Sequence, residues 1–272
     1  MFLKKHDSLL LRTDSKKSRF RDQLSFRFLG IPYANKPERF TYPTSYNGPS
    51  DIDATNYGSI CVQSGSPSSS EDCLFLNVFT PYIPQSELLV QTSKLKAVII
   101  FIHGGAFTSG SGSDPTVDGG NMASRGDIVF VTINYRLSTL GFLALNDGKT
   151  NGNFGIADQI AAIDWVRAHI KAFGGDPNRI TIAGQSAGAG SVRALMSSPK
   201  AIGKFSGAIP QSNLAGFDYA STYSFYYTIE QEVSVAANGI LSTTGCANVT
   251  DQLSCLRAYN AQDLVSLADV AR

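Results

Sequence analysis

The chain has 272 residues, 43% of them hydrophobic and 17% charged, with a formal net charge of +1. That balance describes a globular protein of one large or two modest domains with ample material for a core, and it gives no electrostatic case for nucleic acid or an anionic membrane surface as a partner. No apolar run approaches the roughly 18 residues that a membrane span needs.

Residues 1–22 carry seven Lys/Arg against three Asp. The triplet Leu9-Leu10-Leu11 is too short for the apolar stretch of a signal peptide, no small-residue cleavage site follows, and Asp7, Asp14 and Asp22 argue against a transit peptide. We read 1–22 as a disordered basic tail and 23–272 as the folded domain.

Phe26–Ala34 predicts a strand running into a Pro turn, and Leu74–Thr80 a second strand, with the polar stretch 61–73 between them. Lys96–Ile102 and Asp127–Asn134 are near-continuous apolar runs, as expected of strands buried on both faces. The connection between these two runs is rich in glycine, with one helical turn at Asn121–Ser124. Ile156, Ile160, Ile163, Val166, Ile170 and Phe173 recur at steps of three and four and make one apolar helix face. Gly174-Gly175 stops that helix, and Asp176-Pro177 prevents a restart. A strand at 179–183, a helix at 187–196 and another apolar stretch at Phe205–Pro210 follow; 223–237 and 251–269 read as helices. Strands alternating with helical segments over short loops predict an α/β fold with a mostly parallel sheet and flanking helices.

Four cysteines fall in two close pairs, Cys61/Cys73 and Cys246/Cys255. Neither pair has C-x-x-C spacing and the only histidines are His6, His103 and His169, so neither a zinc site nor any other metal or cofactor is expected. The pairs read either as two short loops each closed by a disulfide, in an oxidising compartment, or as four free thiols in the cytosol. Asn248-Val-Thr is a glycosylation sequon beside the second pair and favours the first reading. Extracellular location is therefore expected, although no signal peptide is visible.

The apolar run at 179–183 empties into Gly184-Gln185-Ser186-Ala187-Gly188, and a helix-compatible segment follows. Strand, sharp G-x-S-x-G turn and helix make a nucleophile elbow, which lifts a serine hydroxyl above the edge of a sheet. In a chain with 25 glycines the five-residue pattern alone says little, and its setting gives it meaning.

Three separated motifs supply that setting: Glu71-Asp-Cys-Leu-Phe-Leu-Asn-Val78, His103-Gly-Gly-Ala-Phe107, and Phe173-Gly-Gly-Asp-Pro-Asn-Arg-Ile-Thr-Ile-Ala-Gly-Gln-Ser-Ala-Gly188. Together with Phe28-Leu-Gly-Ile-Pro-Tyr-Ala34 and Asn134-Tyr-Arg-Leu137, they resemble the type-B carboxylesterase/lipase family, the cholinesterase-like branch of the α/β-hydrolases, from about Phe26 to the last residue. The resemblance implies the α/β-hydrolase fold and a carboxylic ester hydrolase working through an acyl-enzyme on Ser186. It also implies an oxyanion hole from the amides of Gly105, Ala106 and Ala187, with Gly104 supporting the loop; each lost donor costs roughly 3 kcal/mol of barrier. His103 is then expected to order backbone rather than move protons, and His169 to be a surface or capping residue. Arg39 with Glu71, and Arg136 with Asp158, correspond to buried ion pairs of the family.

The triad of this fold runs serine, acid, histidine in chain order, and no histidine follows Ser186. Asp218, Glu230, Glu232, Asp251, Asp263 and Asp269 do follow it, but none lies in a motif matching the family's acid. The expectation is thus an N-terminal portion of an esterase domain, truncated on its C-terminal side and inactive alone because Ser186 lacks its base. A non-catalytic interaction protein, or a truncated product, of the same family is the alternative.

Only eleven residues separate Cys61 from Cys73, none aromatic, and the sole tryptophan is Trp165 in the helix at 156–173. A choline-binding cation–π site and a lipase flap are therefore both unsupported, which leaves small to medium uncharged esters as the expected substrates. Phe217, Tyr219, Tyr223, Phe225, Tyr226 and Tyr227 either line an acyl pocket or pack between helices.

Overall fold

The structure, a computed structural model, describes residues 25–84, 94–213 and 227–267, together with the backbone of 10–12. Among the described residues there are eight strands: β1 Leu10–Arg12, β2 Phe26–Pro32, β3 Asp51–Asp53, β4 Phe75–Thr80, β5 Lys96–Ile102, β6 Val129–Ile133, β7 Gly175–Gln185 and β8 Gly207–Gln211. Six of them form one sheet in the order β2-β4-β6-β5-β7-β8, while β1 and β3 make a separate parallel pair. The β2–β4 and β4–β6 pairings are antiparallel and the other three parallel, so the sheet is mixed and mostly parallel, as in the α/β-hydrolase fold. Apart from Leu10–Arg12, the tail expected at 1–22 lies outside the described residues.

The apolar runs become strands because both sides of the sheet are at least partly covered. All five residues of β6 are buried, as are Val98, Ile100 and Ile102 of β5. The helices are α1 Gly120–Gly126, α2 Ser138–Phe142, α3 Phe154–His169 and α4 Ala187–Ser197. Helix α3 continues as a 3-10 turn through Phe173 and ends at Gly174, which sits in the left-handed region at φ 78°. Its expected stripe is only partly the core face: Ile163, Val166, Ile170 and Phe173 are buried, while Ile156 and Ile160 are half-buried. Trp165 is buried too, with its ring 4.9 Å from that of the half-buried His169.

A second, smaller core holds residues between 227 and 267. Ile229–Glu232 (α5) runs through a π turn at Val233–Ala237 into Asn238–Thr243 (α6), so the helix expected to end at 237 continues to 243. The single helix expected over 251–269 is two, α7 Gln252–Ala258 and α8 Ala261–Ser266. The break follows from Asn260, whose side chain accepts from the backbone N–H groups of Gln262 and Asp263 and so starts a new helix. Leu256, Leu264, Val265 and Ile240 pack there with Phe40, Leu140, Leu143 and Phe154.

Both expected disulfides are present, Cys61–Cys73 and Cys246–Cys255. Both expected ion pairs are present as well. Arg39 meets Glu71 through two N–H···O bonds at 2.7 and 2.8 Å. Arg136 grips Asp158 at 2.7 and 2.8 Å while donating its backbone N–H to the same carboxylate, and Asp158 is fully buried.

Candidate active site

Parallel pairing of β5 with β7 places Ile102 opposite Gly184, so the chain leaves both strands at the same end of the sheet. There His103-Gly104-Gly105 meets Gln185-Ser186. The contact is close: a Cβ placed on Gly104 would stand 2.8 Å from the carbonyl oxygen of Gln185 and 3.3 Å from Cβ of Ser186. The sequence therefore brings the two loops together by register alone.

Ser186 has φ 56° and ψ −120°, outside both helical and extended geometry, and it is the residue before the first turn of α4. A non-glycine residue held there stores backbone strain. The flanking glycines are the close approaches that permit it. A Cβ on Gly184 would overlap the carbonyl of Gly188, and one on Gly188 would overlap the carbonyl of Ile102. The backbone N–H of Ser186 donates to the carbonyl of Gln211 at 3.0 Å, and its carbonyl accepts from Gly190 at 3.0 Å.

The facing loop turns tightly. Gly105, Ala106 and Phe107 all have positive φ, at 106°, 53° and 61°. The Gly105 carbonyl accepts from the N–H groups of Thr108 and Ser109 at 2.9 and 3.0 Å. Among the described residues, no protein acceptor takes the amide hydrogens of Gly105, Ala106 or Ala187. Ala187 is the first residue of α4, where backbone N–H groups have no partner within the helix. Backbone N–H groups without a protein acceptor are free to stabilise a developing negative charge.

His103 is buried under this loop. Its Nδ1 donates to the carbonyl of Gly104 at 2.7 Å, and its ring stacks on Tyr135 at 4.4 Å between centroids. Tyr135 in turn donates its hydroxyl to the His103 carbonyl at 2.9 Å. Burial lowers the His103 pKa to about 4, so the imidazole is neutral at physiological pH. Among the described residues, no hydrogen bond joins His103, His169, Glu230, Glu232, Asp251 or Asp263 to Ser186. Glu230, Glu232, Asp251 and Asp263 lie on or beside the helices of the smaller core, whereas Asp218 and Asp269 fall outside the described residues. Of the aromatic cluster at 217–227, only Tyr227 is described.

A groove of about 1520 Å³ lies elsewhere among the described residues. It runs along the outer side of α3 between Tyr42, Tyr46, Trp165 and Lys200, and none of Ser186, Gly105, Ala106 or Ala187 lines it. The two facing loops, not the size of a cavity, identify the candidate site. No cluster of metal-ligating side chains occurs among the described residues.

Sequence reasoning missed the polar side chains that hold the site from outside. Gln159 donates to Ser191 at 2.9 Å and ties α3 to α4 beneath the elbow. Asn134 accepts from Gly112 N–H at 2.8 Å and donates to the carbonyls of Ser59 and Cys73. Gln63 bonds Gly110 on the return arm of the His103 loop. The one available signal was the type of residue: amides placed in otherwise apolar or glycine-rich surroundings.

The carboxylesterase family matches residues 14–271. Para-nitrobenzyl esterase of Bacillus subtilis is 40% identical over 261 residues, covering 90% of this chain and 49% of that protein. Esterase E4 of Myzus persicae is also 40% identical, covering 87% of this chain and 43% of its own length. Among solved structures, a Geobacillus stearothermophilus carboxylesterase superposes with a TM-score of 0.78 at 36% identity, over 95% of this chain and 51% of that one. The chain spans about half the length of these relatives. It belongs to the carboxylesterase family.

Proposed function

From that membership we propose that these residues form the nucleophile and oxyanion half of a serine carboxylesterase. Ser186 attacks the ester carbonyl and carries the acyl group, while the amides of Gly105, Ala106 and Ala187 stabilise the oxyanion and Gly104 keeps their loop tight. The observation that carries this reading is the strained elbow packed so closely on the His103 loop that a Cβ built on Gly104 would lie 3.3 Å from Cβ of Ser186, together with the amides of Gly105, Ala106 and Ala187, which have no protein acceptor among the described residues. No histidine follows Ser186, neither His103 nor His169 bonds to it among the described residues, and no acidic residue after it lies in a motif matching the family's acid.

We further propose small to medium uncharged esters as substrates. The ring closed by Cys61–Cys73 holds no aromatic side chain, and Gln262 ties it down through Ser66 and Ser69 at 3.1 and 2.8 Å. Such a ring offers neither a cation–π face nor a free flap. Two disulfides and the exposed sequon at Asn248 favour an extracellular protein carrying a glycan there.

In a polypeptide that also carries the acid and the histidine, Ser186→Ala should abolish both ester hydrolysis and covalent labelling by a fluorophosphonate. Undiminished labelling of that variant overturns the assignment. For the 272 residues alone, turnover of a p-nitrophenyl ester should be negligible.

A further inference from the structure

The return arm of the loop that carries Gly105 and Ala106 is Gly110-Ser111-Gly112, and it belongs to no helix or strand. Its peptide groups are bonded by side-chain amides instead. The Gln63 side chain, almost wholly buried, accepts from Gly110 N–H at 3.0 Å and donates to the Gly110 carbonyl at 3.1 Å, while its second N–H reaches the Cys61 carbonyl at 3.0 Å. Two opposed bonds to one residue fix its orientation as well as its place. Two residues on, Gly112 donates to Asn134 at 2.8 Å and its carbonyl accepts from Asn77 at 3.1 Å and Thr132 at 2.7 Å.

Gly110 is in turn the surface on which the oxyanion loop rests. A Cβ on it would stand 2.5 Å from Nδ1 of His103 and 2.7 Å from the carbonyl oxygen of Gly104. The turn that starts at Gly105, closed by Thr108 and Ser109, leads directly into it. A displacement of Gly110 therefore moves His103, Gly104 and the amides of Gly105 and Ala106 together.

We propose that Gln63 is a positioning residue for the oxyanion loop, acting through Gly110, and that the ring closed by Cys61–Cys73 is the frame from which it acts. The catalytic part of this inference rests on the ester-hydrolase reading; the positioning part does not. Oxyanion donors lose their effect when displaced by a fraction of an ångström, since their value lies in being already in place.

The test is backbone hydrogen exchange on the 272-residue chain, comparing the segment 103–110 with the β4 segment 75–80 in the same sample. Gln63→Ala should speed exchange in 103–110 at least tenfold more than in 75–80. A loss of overall stability alone would raise both alike. Gln63→Glu supplies a second readout, because a protonated carboxyl can both accept from Gly110 N–H and donate to its carbonyl. After correction for intrinsic rates, protection of 103–110 in that variant should return as pH falls through the carboxyl's titration. In a form that turns over p-nitrophenyl acetate, Gln63→Ala should lower kcat by 10- to 100-fold with KM changed less than twofold. Equal acceleration of both segments, or an unchanged kcat beside an active parent, overturns the proposal. If a polypeptide that also carries the acid and the histidine is inactive, that counts against the ester-hydrolase reading and leaves the exchange ratio to decide on Gln63.

Discussion

The elbow at Gly184–Gly188 and the loop at His103–Gly110 approach within van der Waals contact, yet they are shaped by different means. The elbow is set by what flanks it: β7 delivers the chain, α4 takes it away, and the backbone of Ser186 bonds to Gln211 and Gly190. The loop has a strand on one side only, and its far side depends on Tyr135, Gln63 and the asparagines behind them. One is a local device and the other a remote one. Damage to the elbow should therefore come from its own glycines, and damage to the loop from residues far away in sequence.

The largest effect should follow from attacking the elbow directly. Gly188→Val forces a side chain into the carbonyls of Ile102 and His103, both main-chain atoms that cannot step aside. A loss of about 4–5 kcal/mol, at the upper end for a single substitution, should appear as a lower denaturant midpoint. A variant melting like the parent would show that the two strands can part at this end, and the contrast would collapse.

Next comes a remote break. Asp158→Asn leaves the Arg136 guanidinium buried without its charge partner, and Arg136 follows directly on the Asn134-Tyr135 pair that holds the loop. The expected cost is about 3–5 kcal/mol in equilibrium unfolding. Faster hydrogen exchange at 103–110 than at the elbow would mark the loop as its chief casualty.

The third effect is a pH dependence specific to the loop. His103 is neutral and buried, with its folded pKa near 4 against an ordinary value of 6.5. The unfolded chain binds the proton first, so stability from this group is complete above about pH 6.5 and is lost as pH falls toward 4. The total is about 3 kcal/mol, from about 1.4 kcal/mol per pKa unit. Unfolding free energies between pH 7 and 4 should show that slope, and His103→Gln should remove it. An identical slope in the variant would assign it to other groups.

The smallest is Tyr135→Phe. It deletes the hydroxyl bond to the His103 carbonyl but keeps the stacked ring, at a cost of about 1 kcal/mol. If it destabilises as much as Asp158→Asn, the loop hangs on that single bond.

The same contrast explains what the sequence made legible. The elbow could be read because every feature lies within a dozen residues: a β-branched run, a glycine, a serine and a helix-compatible segment. The ion pairs Arg39–Glu71 and Arg136–Asp158 could be read only through resemblance, since neither partner is a sequence neighbour. Gln63 could not be read, because its meaning lies in a glycine 47 residues away. The break between α7 and α8 was legible in principle. Asn260 is a helix-starting residue, although 251–269 reads as one helix when its side chain is not weighed.

The two disulfide rings carry a last consequence. Their partners are 12 and 9 residues apart, and no cysteine remains free. Each bridge can close as soon as its own short stretch of chain reaches an oxidising compartment, with no wrong partner left once the other has formed. In an oxidising compartment entered during synthesis, the ring behind the loop at 103–110 would thus be covalently finished before the strand that brings Ser186 has left the ribosome.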